Sequence, residues 1–297
     1  MIDYNDGLLI VGLARNCEKR LVHSIEKISS ATKNFKNIHW LIIESDSEDG
    51  TLNALKDIQR KIPSFDFYTF GRLQEKFPLR TERIAYCRNK YLEELENNSK
   101  YQDIKYLVAA DLDGVNDKLT QNGFESCWGR DNWDVCTANQ SAPYYDIWAL
   151  RHSIWNPGDC WQVRNFYKDY GLSNYHSFLY AVSSKMITIH SNSDWIKVDS
   201  AFGGLGVYKR DVIGLARYIG INKTGEEICE HVSFHKSLKI NQSANIYINP
   251  QLINSKYTQH TRHLMPIVGW LFKLRIFIAS KKIALKHIKL YKKIIKG

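Results

Sequence analysis

The ten residues Tyr106-Leu-Val-Ala-Ala-Asp-Leu-Asp-Gly-Val115 constrain the fold of this 297-residue chain more than any others. A short, continuously apolar run reads as a strand of a parallel sheet, because only there are both faces of a strand covered. Open sheets of that kind bind ligands beyond the carboxyl ends of their strands, and this run ends in Asp111 and Asp113. Two residues apart on an extended chain, the two carboxylates point to the same side. Side by side they repel unless a cation lies between them, and hard oxygen ligands suit Mg2+ or Mn2+. Asp-Gly at 113–114 is equally at home in a turn. Taken alone, the stretch leaves metal site and turn both open.

The flanking pattern supports the strand. Residues 7–14 read as a first strand, 18 to about 30 as a helix, 39–44 as a second buried strand and 51–61 as a helix. Residues 65–70 form a third short strand. Residues 81 to about 97 form a helix with Ile84, Cys87, Tyr91 and Leu95 at spacings of three and four. The β-α-β-α-β-α-β alternation predicts an α/β fold, a doubly wound and mostly parallel sheet with Asp111 and Asp113 at the end of a central strand. From about residue 130 the texture becomes less regular and rich in aromatics. Segments 135–138 and 146–150 stand out there, followed by helices over 211–219 and 226–238 and a strand over 244–248. Aromatic rings mostly fill cores, though flat rings also stack on sugar faces, so this half is a candidate binding surface.

The six cysteines (17, 87, 127, 136, 160 and 229) are widely spaced with no Cys-x-x-Cys pair, and read as reduced thiols of a cytosolic protein. No signal peptide is expected: Asp3 and Asp6 precede a short apolar run over 8–14. Of 41 Lys and Arg, thirteen follow Glu230, and none of the 31 Asp and Glu does. The net charge of +10 is therefore a local patch on a near-neutral body, which argues against nucleic acid as a partner. The apolar run 264–272 is too short to span a bilayer. Lys282, Lys286, Lys289, Lys293 and Lys296 share one helical face, with Ala284, Ile288, Tyr291 and Ile295 on another. With Trp270 and Phe272 nearby, residues 264–297 predict a basic amphipathic helix lying on an anionic membrane surface. A solvated helix or an RNA-binding tail is the competing reading.

Further segments share an order with the Asp pair. Leu13-Ala-Arg-Asn16 follows the first strand and Glu44-Ser-Asp-Ser-Glu-Asp-Gly-Thr51 the second. Arg83-Ile-Ala-Tyr-Cys-Arg-Asn89 precedes the pair. Tyr144-Tyr-Asp-Ile-Trp-Ala-Leu-Arg151 comes after it, and Glu227-Ile-Cys-Glu-His231 leads to Ile246-Tyr-Ile-Asn-Pro250. Over about residues 8–262 this series resembles the GT-A nucleotide-sugar glycosyltransferases. It is most similar to the fungal capsule-associated mannosyltransferases and their bacterial relatives.

The resemblance implies a GT-A domain over residues 1–263, with a donor half to about 130 and an acceptor half from 131. Ala14, Arg15 and Asn16 would lie along the nucleotide, and Glu44 and Asp46 would bind ribose or base. Residues 44–49 also read as an acidic turn capping the helix at 51. Arg83 and Arg88, five apart on a helix, would both face the diphosphate only loosely, one of them alternatively pairing with Glu82 or Glu93; Arg88 matches the family better, and guanidinium suits phosphate oxygens. Asp113 would be a direct ligand of Mn2+ or Mg2+, and Asp111 would bind ribose, or metal through water. His260 would be a third ligand, with His263 close by; a solvated histidine is the plainer reading. Residues 199–208 resemble a glycine loop in which Gly203 and Gly204 let backbone approach the donor. Glu227 and Glu230 lie where inverting members keep a catalytic base. Glu226-Glu227 replaces the usual Glu-Asp pair there, leaving inversion or retention open. Trp148 and Arg151, with Trp155 and Trp161, fall on the acceptor side. The implied activity moves a hexose, such as mannose, from a nucleotide sugar to a glycan or lipid-linked acceptor. It would do so in surface polysaccharide synthesis, peripherally on the cytoplasmic face of the membrane. A nucleotidyltransferase and a membrane-associated glycan-binding protein are the alternatives.

Overall fold

The computed structural model describes residues 2–265 of the chain. The chain divides into two units, Met1–Lys256 and Tyr257–Gly297. In the first, the elements begin with β1 (Gly7–Ala14), α1 (Glu18–Thr32), β2 (Asn37–Glu44), α2 (Thr51–Lys61), β3 (Phe65–Thr69), α3 (Arg80–Asn97) and β4 (Ile104–Ala110). They continue as α4 (Gln121–Glu125), β5 (Val135–Gln140), α5 (Cys160–Asp169), α6 (Asn174–Ala181), β6 (Ile196–Val198), β7 (Leu205–Lys209), α7 (Arg210–Ile213), α8 (Glu230–Gln242) and β8 (Ile246–Ser255). The eight strands form one sheet in the order β3-β2-β1-β4-β7-β5-β8-β6. β7 runs antiparallel to β4 and β5, and β6 antiparallel to β8, while the other pairings are parallel. The α/β, mostly parallel architecture expected from the sequence is met.

β1 and β4 are apolar throughout because both their faces are covered. Leu8, Ile10 and Val108 join a core with Leu21, Ile25 and Ile28 of α1, Leu55 and Ile58 of α2 and Phe124 of α4. Alternate residues such as Leu9, Val11 and Leu107 point the opposite way, toward the side where α3 lies against β1 and β2. Each such aliphatic side chain contributes about 1.5–3 kcal/mol on burial. The same packing fixes the orientation of α3, and with it that of Arg88. The six cysteines are free and buried, as expected.

The antiparallel insertion of β7 positions the site. Ala110 at the end of β4 pairs with Leu205 at the start of β7, so the residues before β7 arrive at the carboxyl end of β4. Gln140 and Ser255 pair at the ends of β5 and β8, and Ala14 and Glu44 at the ends of β1 and β2.

Several elements differ from the sequence expectation. Residues 146–150 form a turn closed by Leu150 N–H to Asp146 O (3.2 Å). The helix expected over 211–219 is only α7, ended by Gly214 at φ +47°. The helix expected over 226–238 starts at Glu230, because 222–226 fold into a tight turn with Asn222 N–H donating to Glu226 O (2.9 Å). The strand expected over 244–248 continues to Ser255 through Pro250. The register of β8 against β5 shifts there, and a bulge tolerates proline. α5 and α6 were not expected, although each opens on a side-chain cap: Asp159 accepts from Trp161 N–H (2.8 Å) and Ser173 from His176 N–H (3.2 Å).

In the second unit, residues Gln259–Leu264 form a 3-10 helix with a capping box between Thr258 and Thr261. The basic amphipathic helix expected over 264–297 lies, but for its first two residues, outside the described residues, as do Trp270 and Phe272. Among the described residues no helix is long and apolar enough to cross a membrane.

Candidate active site

Asp111 and Asp113 follow the last residue of β4. Asp113 is exposed, while the Asp111 side chain is 38 % exposed and lies 3.5 Å from Arg88 Nη2. Arg88 is buried in α3, where its Nε donates to Glu230 Oε1 (3.2 Å) and its Nη1 to the Tyr91 hydroxyl (3.3 Å). The guanidinium lies over the Phe202 and Tyr218 rings, at 5.2 and 5.6 Å from their centroids. Glu230, buried at the first turn of α8, is thereby tied to the Asp strand end through one cation. The Asp111 carboxyl is pushed up to about 7, by burial first and then by Asp113, Asp146 and Glu230; Arg88 opposes the shift. One guanidinium does not balance so many acids. The excess negative charge on oxygen donors is what a hard divalent cation would relieve.

Among the described residues, no three His, Cys, Asp or Glu side chains converge on a common metal position. The Asp111 and Asp113 carboxylates nevertheless fit such an ion by donor type and by the charge they share. Arg20, which no sequence motif marks, brings its side chain alongside Gly114: a Cβ there would lie 3.2 Å from Arg20 Cδ. The turn after Asp113 thus carries an exposed cation from α1. Only the fold reveals this, since the two lie on separate elements.

The loops after β1 and β2 are laced together. Asn16, at φ +48°, donates its N–H to Ser47 Oγ (3.1 Å) and accepts from Glu48 N–H (2.7 Å) at Oδ1. Asp49 accepts from the N–H groups of Glu18 (3.2 Å) and Thr51 (3.0 Å), and Glu18 accepts from Gly50 N–H (3.2 Å). The N-termini of α1 and α2 are capped by each other's acids, so Asp49 performs the capping that this segment suggested. Glu44 is buried and accepts from Thr69 Oγ1 and Ser47 N–H. Asp46, at φ +58°, accepts from Gln74 N–H (2.9 Å) and lies 3.7 Å from Arg83 Nε. Arg83 also donates to the carbonyls of Phe77 and Pro78, both at 2.7 Å. Ala14 is buried beside Glu44, while exposed Arg15 reaches Asp46 O (3.4 Å).

Gly203 and Gly204 precede β7 at φ +67° and +90°. A Cβ on Gly203 would lie 2.8 Å from Ala138 O, and one on Gly204 2.6 Å from Val115 Cγ1. Both the conformation and the space demand glycine. Asp146, to which the sequence alone gives no role, accepts from Gly203 N–H at Oδ2 (3.0 Å). The neighbouring Trp148 donates from Nε1 to Asp159 Oδ2 (2.9 Å), which Arg151 Nη2 also reaches (3.1 Å). Trp155 donates to Lys185 O (2.7 Å), and Trp161 packs near Phe178.

Glu227 is exposed and lies at the start of α3, where Oε1 accepts from both the N–H and the hydroxyl of Thr81 (3.1 Å each). His231 is buried and stacks on Phe202 at 3.8 Å, with its ionisation suppressed by burial, Arg88 and His235. His235 joins Ser200 Oγ and the Tyr208 hydroxyl, both at 2.9 Å. His260 and His263 lie in the 3-10 helix of the second unit. Asp111, Asp113, Arg88, Glu230, Gly203 and Gly204 are therefore gathered around the ends of β4 and β7. Glu227 sits instead at the cap of α3, and Arg83 at the β2 loop.

No family model and no curated protein matches this sequence. Among solved structures, the chain is similar to the mannosyltransferase PcManGT from Pyrobaculum calidifontis in complex with GDP-Man and Mn2+. Identity is 13 % and the TM-score 0.49, over 88 % of this chain and 61 % of that one. It is also similar to S. aureus TarS 1–349 in complex with UDP-GlcNAc, with 9 % identity and a TM-score of 0.49 over 86 % of this chain and 60 % of that one. Glucosyl-3-phosphoglycerate synthase from Mycobacterium tuberculosis in complex with UDP gives 11 % and 0.44, over 86 % and 73 %. The chain spans less than two thirds of the length of the first two. These likenesses concern architecture, and the chemistry assigned to this chain rests on its own residues.

Proposed function

We propose that this chain is a metal-dependent glycosyltransferase that moves a sugar from a nucleotide-sugar donor to an acceptor hydroxyl. The observation that carries the reading is the meeting of two features at one end of the sheet: the Asp111 and Asp113 carboxylates after β4, and the Gly203-Gly204 backbone before β7. Asp113, with Asp111, would hold Mn2+ or Mg2+, which when bound supplies charge neutralisation on a leaving diphosphate. Arg15, which reaches Asp46 O, and Asn16, which bonds to Ser47 and Glu48, would lie with Glu44 and Asp46 along the nucleotide. Arg88 would act on the donor only through Asp111 and Glu230, because its donors already face protein groups. Between the two candidate glutamates, Glu230 is the nearer to the Asp pair through Arg88, and Glu227 the one that caps a helix. His260 as third ligand, Trp148 and Arg151 toward an acceptor, and mannose as the sugar are supported by the motif resemblance alone. So is a glycan or lipid-linked acceptor in surface polysaccharide synthesis, whereas docking of residues 264–297 on the cytoplasmic leaflet is supported by their lysine spacing and apolar face.

The test is a thermal-shift panel of nucleoside diphosphates and sugar nucleotides with Mn2+. A ligand present at 100 times its Kd adds about 2.7 kcal/mol to native stability. A rise for one nucleotide class that needs Mn2+, with release of the sugar to an acceptor or to water, is expected. No rise with any member of the panel refutes the reading. Equal binding with and without Mn2+ and no donor hydrolysis would favour a glycan-binding protein. A nucleotidyltransferase usually keeps glycines in the loop after the first strand, and residues 13–18 contain none. Flotation with anionic liposomes, unchanged after removal of 264–297, would exclude the tail as anchor.

A further inference from the structure

The Gly203-Gly204 turn is gripped from several elements at once. Gly203 N–H donates to Asp146 Oδ2 (3.0 Å), and Gly203 O accepts from Asn254 Nδ2 (2.8 Å) and Gln140 Nε2 (3.1 Å). Gly204 O accepts from Asp111 N–H (3.0 Å) and Asn116 Nδ2 (3.1 Å). The amides also bind one another. Asn254 Nδ2 donates to Asn116 Oδ1 (2.9 Å), Asn254 Oδ1 accepts from Gln140 Nε2 (3.0 Å), and Asn116 Nδ2 reaches Asp111 O (2.8 Å). Asn116, Gln140 and Asn254 are each 0 % exposed. Apolar side chains would fill those positions without the cost of burying carboxamides, and fully satisfied polar networks fix a unique geometry where apolar packing does not. The network also spans separate parts of the chain: the ends of β5 and β8, the turn after β4 and the 146–150 turn.

We propose that Asn116, Gln140, Asn254 and Asp146 are positioning residues that hold the Gly203-Gly204 backbone at one distance from Asp111. They act through the turn, and none needs to touch substrate. In each amide the nitrogen donates to two acceptors and the oxygen accepts from one donor, so an isosteric acid breaks the pattern: Asn254→Asp sets an oxygen against both Gly203 O and Asn116 Oδ1. What the turn faces rests on the glycosyltransferase reading; the grip itself does not.

The test compares the full-length wild type with Asn254→Asp, Asn254→Ala and the milder Asp146→Asn, which keeps an oxygen for Gly203 N–H and gives up only the longer contact from Ala149 N–H (3.3 Å). Hydrogen exchange is followed in peptides spanning 107–114 and 200–205, together with the nucleoside diphosphate Kd in Mn2+ and kcat at saturating donor. The Asn254 variants should exchange about tenfold or more faster in both peptides, with exchange in β1 unchanged. Their kcat should fall about a hundredfold, the scale of a small misplacement at a reacting centre, with Kd held within about twofold. Asp146→Asn should retain most of both. A merely structural role would speed exchange in β1 as well and lower kcat only in proportion to folded protein. Unchanged exchange at 107–114 in both Asn254 variants, or kcat and Kd failing together, overturns the proposal. If the wild type transfers no sugar at all, the functional reading fails, and the exchange comparison still decides the grip.

Discussion

Replacing Arg88 by Met should destabilise the fold far more than loss of a surface cation would. Arg88 Nε lies 3.2 Å from Glu230 Oε1 and its Nη2 3.5 Å from Asp111 Oδ1, with the Arg88 and Glu230 side chains 5 % and 9 % exposed. Met is apolar and unbranched, suited to lie against the Phe202 and Tyr218 rings, so the chief loss is charge balance. Glu230 would be left buried without its guanidinium partner, whereas Asp111 keeps part of its hydration. Removing one member of a buried pair costs about 3–5 kcal/mol. The Asp111 contact, partly screened by water, adds at most about 1 kcal/mol. The expected loss is therefore about 4 kcal/mol, read as a lower urea midpoint at unchanged m. Adding Glu230→Gln removes the stranded charge and should recover at least about 1 kcal/mol in a double-mutant cycle. A loss below about 1 kcal/mol for Arg88→Met, or no recovery in the double variant, would refute the assignment of Arg88 as the shared counter-ion.

Three further outcomes follow from the geometry. His235, fully buried, has its pKa pushed down to about 3 by burial and by the Arg88 charge. The unfolded chain takes up that proton near pH 6.5 and the folded chain does not. Stability should therefore be unaffected above pH 6.5 and fall between pH 6.5 and about 3, by at most roughly 5 kcal/mol; acid titration of the urea midpoint in His235→Gln should show a shallower fall. Gly204→Ala puts a Cβ 2.6 Å from Val115 Cγ1 at φ +90°, so it should cost about 1–3 kcal/mol and abolish transfer; wild-type stability and rate would contradict the close fit. Glu227→Gln separates a cap from a base. Weakening the Thr81 contact should cost about 1 kcal/mol with kcat within about tenfold, whereas a general base would lose at least about a hundredfold.

Much of the N-terminal half is legible in the sequence because its signals are local. The apolar runs of β1, β2 and β4 and the three- and four-residue spacing in α3 each fix an element without reference to the rest. The position of the Asp pair at a strand end follows from the same reading. What the sequence conceals is partnership across elements. Nothing near Arg88 announces that its carboxylates are Asp111 and Glu230, which lie on β4's exit and α8. Glu226 and Glu227 share the spacing of a helix, and only the Asn222 turn removes them from it. Asn116, Gln140 and Asn254 look like ordinary loop and strand polar residues. Asn254, directly after Leu252-Ile253, gives only a faint hint in the sequence of a buried amide.

The central claim is a donor site built on Asp111 and Asp113, and calorimetric titration of nucleoside diphosphates tests it most directly. Wild-type protein should bind one nucleoside diphosphate saturably in Mn2+ and at least about tenfold more weakly in EDTA, since the ion carries the diphosphate charge. Asp113→Asn should lose that Mn2+ dependence while its melting temperature stays that of the wild type, because Asp113 is exposed. Equal affinity with and without Mn2+, or Mn2+-dependent binding that survives Asp113→Asn, would contradict the account.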